Sequence, residues 1–275
     1  MKNKNLRFGS RPLVMGILNI TPDSFSDGGS FNEATAMTAQ VRRMLAAGVD
    51  IIDVGGESTR PFSEPVPPEE ELRRVLPAIA CIRQESAEVP ISIDTTKAGV
   101  AKAALAAGAD LLNDISALRF EPEMIEVALA HQAPVVIMHM QGTPKDMQVE
   151  PEYRDVVAEV RDFLAERIRW AEGKGLSRQR IIIDPGLGFG KTIEHNLTLL
   201  KHLGELKSLG CPLLIGHSRK AFIGKLLDLP VEKRDVATAA VSAYCAAQGA
   251  DILRVHDVGK TVQAVRMIEA IGLAP

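Results

Sequence analysis

Short apolar runs that end on a polar residue recur eight times along the chain, and a stretch with helical spacing of apolar residues follows each one. Runs of this length, rich in Val, Ile and Leu and without alternation, are typical of parallel strands buried on both faces. The polar residues at their ends are Asn19, Asp53, Glu57, Asp94, Asn113, Asp114, His139, Asp184, His217, Ser218, Arg254 and His256. The pattern predicts an α/β fold, a (β/α)8 TIM barrel, whose chemistry lies at the carboxyl ends of the strands.

The predicted helices have apolar residues about every 3.6 positions. They cover residues 34–47, 69–84, 98–107, 123–130, 153–174, 194–206, 235–248 and 259–271. Helix C-caps favour glycine, and five glycines stand near predicted helix ends: Gly48, Gly108, Gly175, Gly210 and Gly249. Two connections, residues 21–31 and 58–68, are long and rich in Gly, Pro, Ser and Asp, so we expect mobile loops over the barrel mouth. Nothing resembles an interdomain linker, so residues 1–275 are predicted to form a single domain.

Composition narrows the class of protein. With 46% hydrophobic and 24% charged residues, the chain can bury a large aliphatic core without disulfides. Cys81, Cys211 and Cys245 are expected to be buried, reduced thiols. A net charge of −3 argues against a general nucleic-acid binder, since such proteins usually present a basic face. No apolar run approaches a membrane span and the N-terminal segment lacks a signal-like apolar region, so a cytoplasmic protein without a membrane partner is expected.

Several long motifs, in order along the chain, resemble those of the dihydropteroate synthase family. They are MGILNITPDSFSDGG (15–29), GGESTRP (55–61), SIDTTK (92–97), LLNDIS (111–116), VIMHMQGTP (136–144), DPGLGFGK (184–191), HSRK (217–220) and RVHD (254–257). The resemblance covers nearly the whole chain. It implies a barrel enzyme of folate biosynthesis that joins 6-hydroxymethyl-7,8-dihydropterin diphosphate to 4-aminobenzoate and releases diphosphate. It also implies a sulfonamide target and a homodimer formed through the late helices.

A pterin ring presents N–H donors on its aminopyrimidine edge and acceptors at its carbonyl and ring nitrogen, so its pocket needs a carboxylate and a cation. Asp184 and Lys220 fit these roles. By resemblance, Asp184 accepts from the ring N–H and the amine, while Lys220 donates to the carbonyl side. Asp94 and Asn113 would complete the edge, and Met138 would pack beside the ring. A lone buried Asp is more often a structural cap, but four suited groups on neighbouring strand ends favour function.

The diphosphate end requires positive charge and a hard cation. Asn19 can supply an amide oxygen to Mg2+, which usually takes its remaining ligands from phosphates and water. Arg254 and His256 are two residues apart on one predicted strand, so both can donate to the leaving group. We predict a dissociative, SN1-like displacement in which Asp94 stabilises the developing pterin cation. The residues predicted to take part in catalysis are Asp94, Lys220, Arg254 and His256.

The second substrate must be held by its carboxylate and its ring. By resemblance, Ser218 binds the carboxylate, Phe189 and Pro61 line the ring, Lys220 forms one wall, and Thr59 and Arg60 close over the site. The same residues are the expected sulfonamide contacts. On its own, Arg60 would more typically be a solvated surface charge. The arylamine needs no strong base, and no G-x-S-x-G elbow is found.

Other classes of protein fit the sequence less well. DPGLGFGKT lacks the first glycine of a phosphate-binding loop, because Pro185 stands there. A metal-dependent amidohydrolase could use His139, His217 and His256, but the first strand lacks an H-x-H pair, and His139 is better explained as a core imidazole.

Two alternatives keep the pterin pocket. Methyltetrahydrofolate-dependent methyltransferases share this kind of barrel, but Asn19 and the STRP and SRK segments separate the chain from them. A non-catalytic pterin-binding paralogue would lose Asn19, Arg60, Lys220 or His256, and all four are present. The chain departs from the family pattern at Phe62, Leu187 and His217, and Phe62 puts sulfonamide sensitivity in question.

Overall fold

The computed structural model describes residues 6, 8–9, 11–20, 30–58, 63–143, 145, 147–148 and 150–274. In that part of the chain strands and helices alternate. The strands are β1 (Leu13–Asn19), β2 (Ile51–Gly55), β3 (Ile91–Asp94), β4 (Leu111–Asp114), β5 (Val135–Met138), β6 (Ile181–Asp184), β7 (Leu214–Ile215) and β8 (Ile252–Val255). The helices are α1 (Ser30–Ala46), α2 (Pro68–Glu85), α3 (Ala98–Ala106), α4 (Met124–His131), α5 (Val156–Gly173), α6 (Ile193–Lys201), α7 (Leu203–Lys207), α8 (Ala221–Leu227), α9 (Asp235–Ala247) and α10 (Val258–Gly272).

The strands form one parallel sheet in the order β6-β5-β4-β3-β2-β1-β8-β7. An isolated parallel bridge between Ile183 and Leu213 brings the two ends of this sheet together. The result is a nearly closed barrel with helices between its strands, which confirms the predicted (β/α)8 architecture.

The barrel interior is layered. Side chains two residues apart on a strand point to the same face. A separate buried cluster fills the lower interior and consists of Met15, Ile51, Leu111, Val136, Ile182, Leu214 and Ile252. Two residues further along the same strands stand Ile17, Asp53, Asn113, Met138, Asp184, Gly216 and Arg254. An apolar plug therefore lies beneath a mostly polar layer, and that layer opens toward the carboxyl ends of the strands.

The predicted helices are present, with differences at their ends. The range 194–206 is divided at His202, whose φ of −113° and ψ of 30° interrupt the helix. Helix α5 begins at Val156 because the Asp155 side chain accepts from the N–H groups of Val157 and Ala158. Helix α8 was not predicted. The five glycines expected at helix ends all have positive φ, as a C-cap requires: Gly48, Gly108, Gly175, Gly210 and Gly249.

The connections at the carboxyl ends of the strands differ from expectation in one respect. Residues 21–29 and 59–62, which make up most of the two predicted mobile loops, lie outside the described residues. A third long connection joins β5 to α5, and its described residues Met147, Gln148 and Pro151 also lie at the barrel mouth.

The thiols of Cys81, Cys211 and Cys245 are buried and free, as predicted. Among the described residues, none of the helices has the length and apolar character needed to cross a membrane.

Candidate active site

A cavity of about 2820 Å³ opens at the carboxyl ends of the strands. Its wall includes seven of the residues predicted for the site: Asn19, Asp94, Phe189, Ser218, Lys220, Arg254 and His256. Three others, Asn113, Met138 and Asp184, are 4%, 3% and 5% exposed and occupy inward positions of β4, β5 and β6. Thr59, Arg60 and Pro61 lie outside the described residues. The predicted site residues that the structure describes therefore all lie at or just inside the mouth of the barrel.

The corner between β6 and β7 holds a carboxylate and an ammonium group. Burial raises the pKa of Asp184 to about 6, although a hydrogen bond of 2.7 Å from the Gly186 N–H and the charge of Lys220 oppose the rise. Burial lowers the pKa of Lys220 to about 8. The Lys220 ammonium lies 4.1 Å from the centroid of the Phe189 ring, a cation–π distance. A single ligand in this corner can therefore contact the Asp184 carboxylate, the Lys220 ammonium and the Phe189 ring.

Gly186 shapes this corner through its backbone. Its φ is +66°, in the left-handed region, and a Cβ at this position would lie 1.9 Å from the carbonyl oxygen of His139. Only glycine permits so close an approach between the segment after β6 and the end of β5. The turn brings the Gly186 N–H onto Asp184 and leads to Phe189.

Apolar side chains lie next to this charged corner. Met138 belongs to a small buried cluster with Ile115, Met140, Met147 and Phe189. Met147 comes from the connection between β5 and α5, which the sequence did not mark as part of the site. The cluster provides an apolar surface beside the charged corner, and a planar heterocycle can pack against such a surface.

Arg254 stands at the centre of a buried ionic network. Its Nε donates to Asp53 at 2.6 Å and its Nη2 donates to Asp94 at 2.6 Å. Burial raises the pKa of Asp94 to about 7, against the opposing effect of the Arg254 charge. Asn113 Nδ2 lies 3.4 and 3.3 Å from the two carboxylate oxygens of Asp53. Sequence reasoning noted Asp53 only as a strand-end residue, although its inward spacing from Ile51 could have drawn attention to it.

Asn19 and Asp94 approach each other above Gly55. A Cβ on Gly55 would lie 3.3 Å from Asn19 Oδ1 and 3.9 Å from Asp94 Oδ2. Amide and carboxylate oxygens are hard donors that suit Mg2+. No group of three His, Cys, Asp or Glu side chains in the described ranges could hold a metal ion. The donors fit a magnesium ion that takes most of its ligands from a bound phosphate and water rather than from the protein.

Ser218 and His256 are linked directly. The Ser218 hydroxyl accepts from the His256 backbone N–H at 3.1 Å and lies 2.9 Å from His256 Nδ1. If the hydroxyl donates its proton to Nδ1, the imidazole carries its own proton on Nε2. This hydrogen bond joins a residue predicted for the aminobenzoate subsite to one predicted for the diphosphate subsite.

Two other histidines lie away from the cavity wall. His217 Nε2 is 2.7 Å from Ser242 Oγ on α9, and burial lowers the pKa of its imidazole to about 4. His139 Nδ1 is 2.9 Å from Lys191 Nζ, and burial lowers its pKa to about 2. His139 is therefore a hydrogen-bonded core imidazole, as predicted, and these histidines do not form a metal site with His256.

A second ionic network lies behind the cavity wall, and sequence reasoning gave it no role. The Lys97 ammonium donates to Glu57 and, at 2.5 Å, to Glu71. Glu71 is fully buried, whereas Glu57 reaches the cavity and its Oε1 accepts from the Val66 N–H at 3.2 Å. The network connects the end of β2 to α2 and to the N-terminus of α3.

The chain is similar to known proteins over nearly its whole length. The family described as "Pterin binding enzyme" matches residues 15–256. A dihydropteroate synthase of Synechocystis sp. is 51% identical over 265 residues, which cover 96% of this chain and 91% of that relative. A dihydropteroate synthase of Escherichia coli strain K12 is 48% identical over 261 residues, 95% of this chain and 92% of the relative.

Solved structures of dihydropteroate synthases have the same fold as this chain. A Yersinia pestis dihydropteroate synthase in complex with a sulfonamide drug superposes with a TM-score of 0.92 at 44% identity and covers 100% of this chain and 99% of that one. Because fold, motifs and relatives agree, the chain belongs to the dihydropteroate synthases, within the family of pterin-binding enzymes.

Proposed function

We propose that this chain condenses 6-hydroxymethyl-7,8-dihydropterin diphosphate with 4-aminobenzoate to give 7,8-dihydropteroate and diphosphate. The observation that carries the proposal is the convergence of donors and acceptors suited to a pterin on the inner wall of one barrel mouth. These groups are Asp94, Asn113, Asp184, Lys220 and Arg254. The relatives named as dihydropteroate synthases support it, and so does a Xanthomonas albilineans dihydropteroate synthase solved in complex with 7,8-dihydropteroate.

The pterin ring is proposed to lie across the mouth between β3, β4 and β6. Asp184 accepts from the ring N–H and the exocyclic amine, and the hydrogen bond from the Gly186 N–H to its Oδ1 holds the carboxylate in place. Lys220 donates to the carbonyl side of the ring. Asp94 and Asn113 complete the polar edge, and Met138 packs against the ring face as part of its apolar cluster.

The diphosphate is proposed to lie between Asn19 and the end of β8. His256 donates from Nε2, the nitrogen that does not face Ser218. Arg254 adds positive charge next to Asp94. Asn19 would hold a Mg2+ ion, which when bound neutralises charge on the leaving diphosphate. The hydrogen bonds and positive charge of these groups would favour departure of the diphosphate oxygen.

The displacement is proposed to be dissociative. The bond between the pterin methylene carbon and the diphosphate oxygen breaks first, and its electron pair leaves with diphosphate. The electron-rich dihydropterin spreads the resulting positive charge, and the Asp94 carboxylate stabilises it electrostatically. The nitrogen lone pair of 4-aminobenzoate then forms the new C–N bond, and the nitrogen loses one proton to solvent.

The aminobenzoate subsite is proposed to lie beside the pterin pocket. The aliphatic stem of Lys220 and the ring of Phe189 would form its wall, since the Lys220 ammonium lies 4.1 Å from the centroid of that ring. Ser218 binds the carboxylate, sharing the hydroxyl that now contacts His256. Thr59, Arg60 and Pro61 are proposed to close over this subsite and to contact sulfonamides, which resemble aminobenzoate.

A direct assay tests the function. Purified protein with the dihydropterin diphosphate, aminobenzoate and Mg2+ should form dihydropteroate and diphosphate in equal amounts. Asp184→Asn should lower kcat/KM by about 10- to 1000-fold, since it removes a charged hydrogen bond acceptor from the pterin edge. Lys102→Met, on the exposed face of α3, is the matched control and should keep wild-type activity. Absence of product from the intact protein would refute the proposal, and a methyltransferase would show no diphosphate release.

The dissociative step has its own test, in which aminobenzoate is omitted. Diphosphate should still be released slowly from the dihydropterin diphosphate in the presence of Mg2+, with water in place of the amine. If release depends strictly on the amine, the displacement is not dissociative.

The same proposal includes a homodimer in the cytoplasm. Large apolar side chains are exposed on the two last helices, namely Val236 and Tyr244 on α9 and Met267 and Ile271 on α10. Exposed apolar side chains on adjoining helices are typical of protein interfaces. The free, buried thiols suit the reducing conditions of the cytoplasm.

A further inference from the structure

Asp53 lies inside the barrel, directly beneath the proposed pterin site. It is fully buried and does not contribute to the cavity wall. In the strand register, Asp53 pairs with Ser92, whereas Asp94 and Asn113 pair with each other one inward position further on. In the register of β2 and β3, Asp53 is therefore one inward position below Asp94, and the proposed reaction gives it no direct role.

The contact between Asp53 and Asn113 determines which way the Asn113 amide faces. Asn113 is the donor, with its Nδ2 3.4 and 3.3 Å from the two Asp53 oxygens. An ionised carboxylate only accepts hydrogen bonds, so the NH2 end of the amide must point down to it. The carbonyl oxygen, Oδ1, then points up toward the mouth as an acceptor. Because a pterin edge offers N–H donors, this is the polarity that the site needs.

Asp53 fixes Arg254 in the same way. The guanidinium donates from Nε to Asp53 at 2.6 Å, which orients its plane, and from Nη2 to Asp94. Two buried carboxylates thus share one cation, and only Asp94 reaches the cavity wall. Asp53 therefore holds the guanidinium through a contact that lies outside the cavity wall.

We propose that Asp53 is a positioning residue that sets the hydrogen-bond polarity of the pterin site. It holds the Asn113 carbonyl oxygen toward the ligand and anchors the Arg254 guanidinium beside it. This inference rests on the proposed function, since it takes a pterin edge as the ligand of Asn113. Asp53 does not contact the substrate, but it orients the Asn113 and Arg254 groups that do.

Replacement of Asp53 by Asn shows why polarity is the critical property. In Asp53→Asn the new carbonyl oxygen must accept from Arg254, so the new NH2 group lies against the NH2 group of Asn113. The conflict is relieved when the Asn113 amide turns over. Its NH2 group then faces the N–H donors of the pterin, and affinity should fall about 10- to 100-fold.

An exchange of the two side chains should reverse this loss. In Asp53→Asn/Asn113→Asp the amide lies below and the carboxylate above, so the pair is restored with its ends reversed. The carboxylate at position 113 still presents an acceptor to the pterin, and the total charge equals that of the wild type. Asn113→Asp alone places two carboxylates against each other and should also lose affinity.

The experiment measures the affinity for 7,8-dihydropteroate by titration calorimetry, with thermal unfolding as a check on folding. Both single variants should bind at least about 10-fold more weakly than the wild type, and the double variant should recover to within about 10-fold. The matched control is Asp162→Asn/Asn113→Asp, which conserves the total charge equally through an exposed residue of α5 but sets two carboxylates together at positions 53 and 113. It should not recover.

The outcomes separate this inference from the proposed function. A wild-type protein that binds no 7,8-dihydropteroate contradicts the proposed function itself. If the wild type binds but the Asp53→Asn/Asn113→Asp variant binds no better than Asp53→Asn, the positioning role is refuted. A double variant that fails to fold also overturns it, because the inference requires the reversed pair to replace the original. If the control variant recovers affinity for 7,8-dihydropteroate as fully as the exchanged pair, total charge alone explains the effect and the positioning role is also refuted.

Discussion

At the scale of single residues, burial brings the pKa values of opposite charges in the barrel mouth toward each other. The pKa of Asp184 rises to about 6 and that of Asp94 to about 7, while the pKa of Lys220 falls to about 8. Groups that would be fully charged in water therefore titrate close to neutrality here. The affinity for the pterin diphosphate should therefore change with pH between about pH 6 and 8, where these groups titrate.

A bell-shaped dependence of kcat/KM on pH is expected for the pterin diphosphate. Activity falls on the acid side as the raised pKa values of Asp184 and Asp94 cause these carboxylates to be protonated, between about pH 7 and 6. It falls on the basic side as Lys220, with a pKa of about 8, loses its proton. In Lys220→Arg the basic limb should disappear from the range below about pH 10, because arginine stays protonated. A basic limb that is unchanged in Lys220→Arg would assign it to another group.

The residue types of the site were predictable, but their partners were not. Asp94, Asp184 and Arg254 stand at strand ends, which the apolar runs mark clearly, and Lys220 follows the seventh run at the start of α8. The contact of Arg254 with Asp53 joins residues 201 positions apart, and it depends on strand register and side-chain length. Nothing in the sequence pattern specifies that contact.

At the scale of secondary structure, prediction succeeded where apolar periodicity is strong. All the predicted strands are present because their apolar runs are continuous, but β7 has only two residues. Helix α8 has seven residues, too few for a periodic signal, and it follows a polar HSRK segment. Tyr153 and the two residues after it were predicted to be helical, but they belong to the connection from β5 to α5, because α5 begins at Val156.

Lys97 provides a test of how the end of β2, helix α2 and the N-terminus of α3 are held together. Lys97→Met leaves the fully buried Glu71 carboxylate without its ammonium partner, so it should lower the free energy of unfolding by about 3–5 kcal/mol. Urea unfolding followed by circular dichroism measures this. Lys97→Met/Glu71→Gln removes the uncompensated charge and should recover part of the loss. A loss that is the same in both variants would show that the Glu71 charge is not the cause.

At the scale of the whole molecule, the barrel presents its site on one end and its exposed apolar side chains on the outer helices. Met267 and Ile271 are 61% and 59% exposed, four residues apart on α10, so they lie on one face of that helix. The proposed homodimer would bury this face. The active site then remains open at the barrel mouth of each subunit.

A charge on this face should prevent the proposed dimer. Ile271→Glu/Met267→Glu is expected to change the sedimentation of the protein from that of a dimer to that of a monomer, because carboxylates are costly to bury in an apolar interface. Phe120→Glu, at another exposed apolar side chain, is the matched control and should remain dimeric. A wild-type protein that sediments as a monomer at micromolar concentration contradicts the proposed assembly.

The barrel is least tightly joined between β6 and β7, where an isolated bridge links Ile183 to Leu213. Asp184 follows the first of these residues directly, and Lys220 comes shortly after β7. A pterin held by both side chains would therefore cross-link the two margins of the open sheet. The substrate would supply part of the closure that the backbone leaves incomplete, so the barrel should resist local opening most when it is loaded.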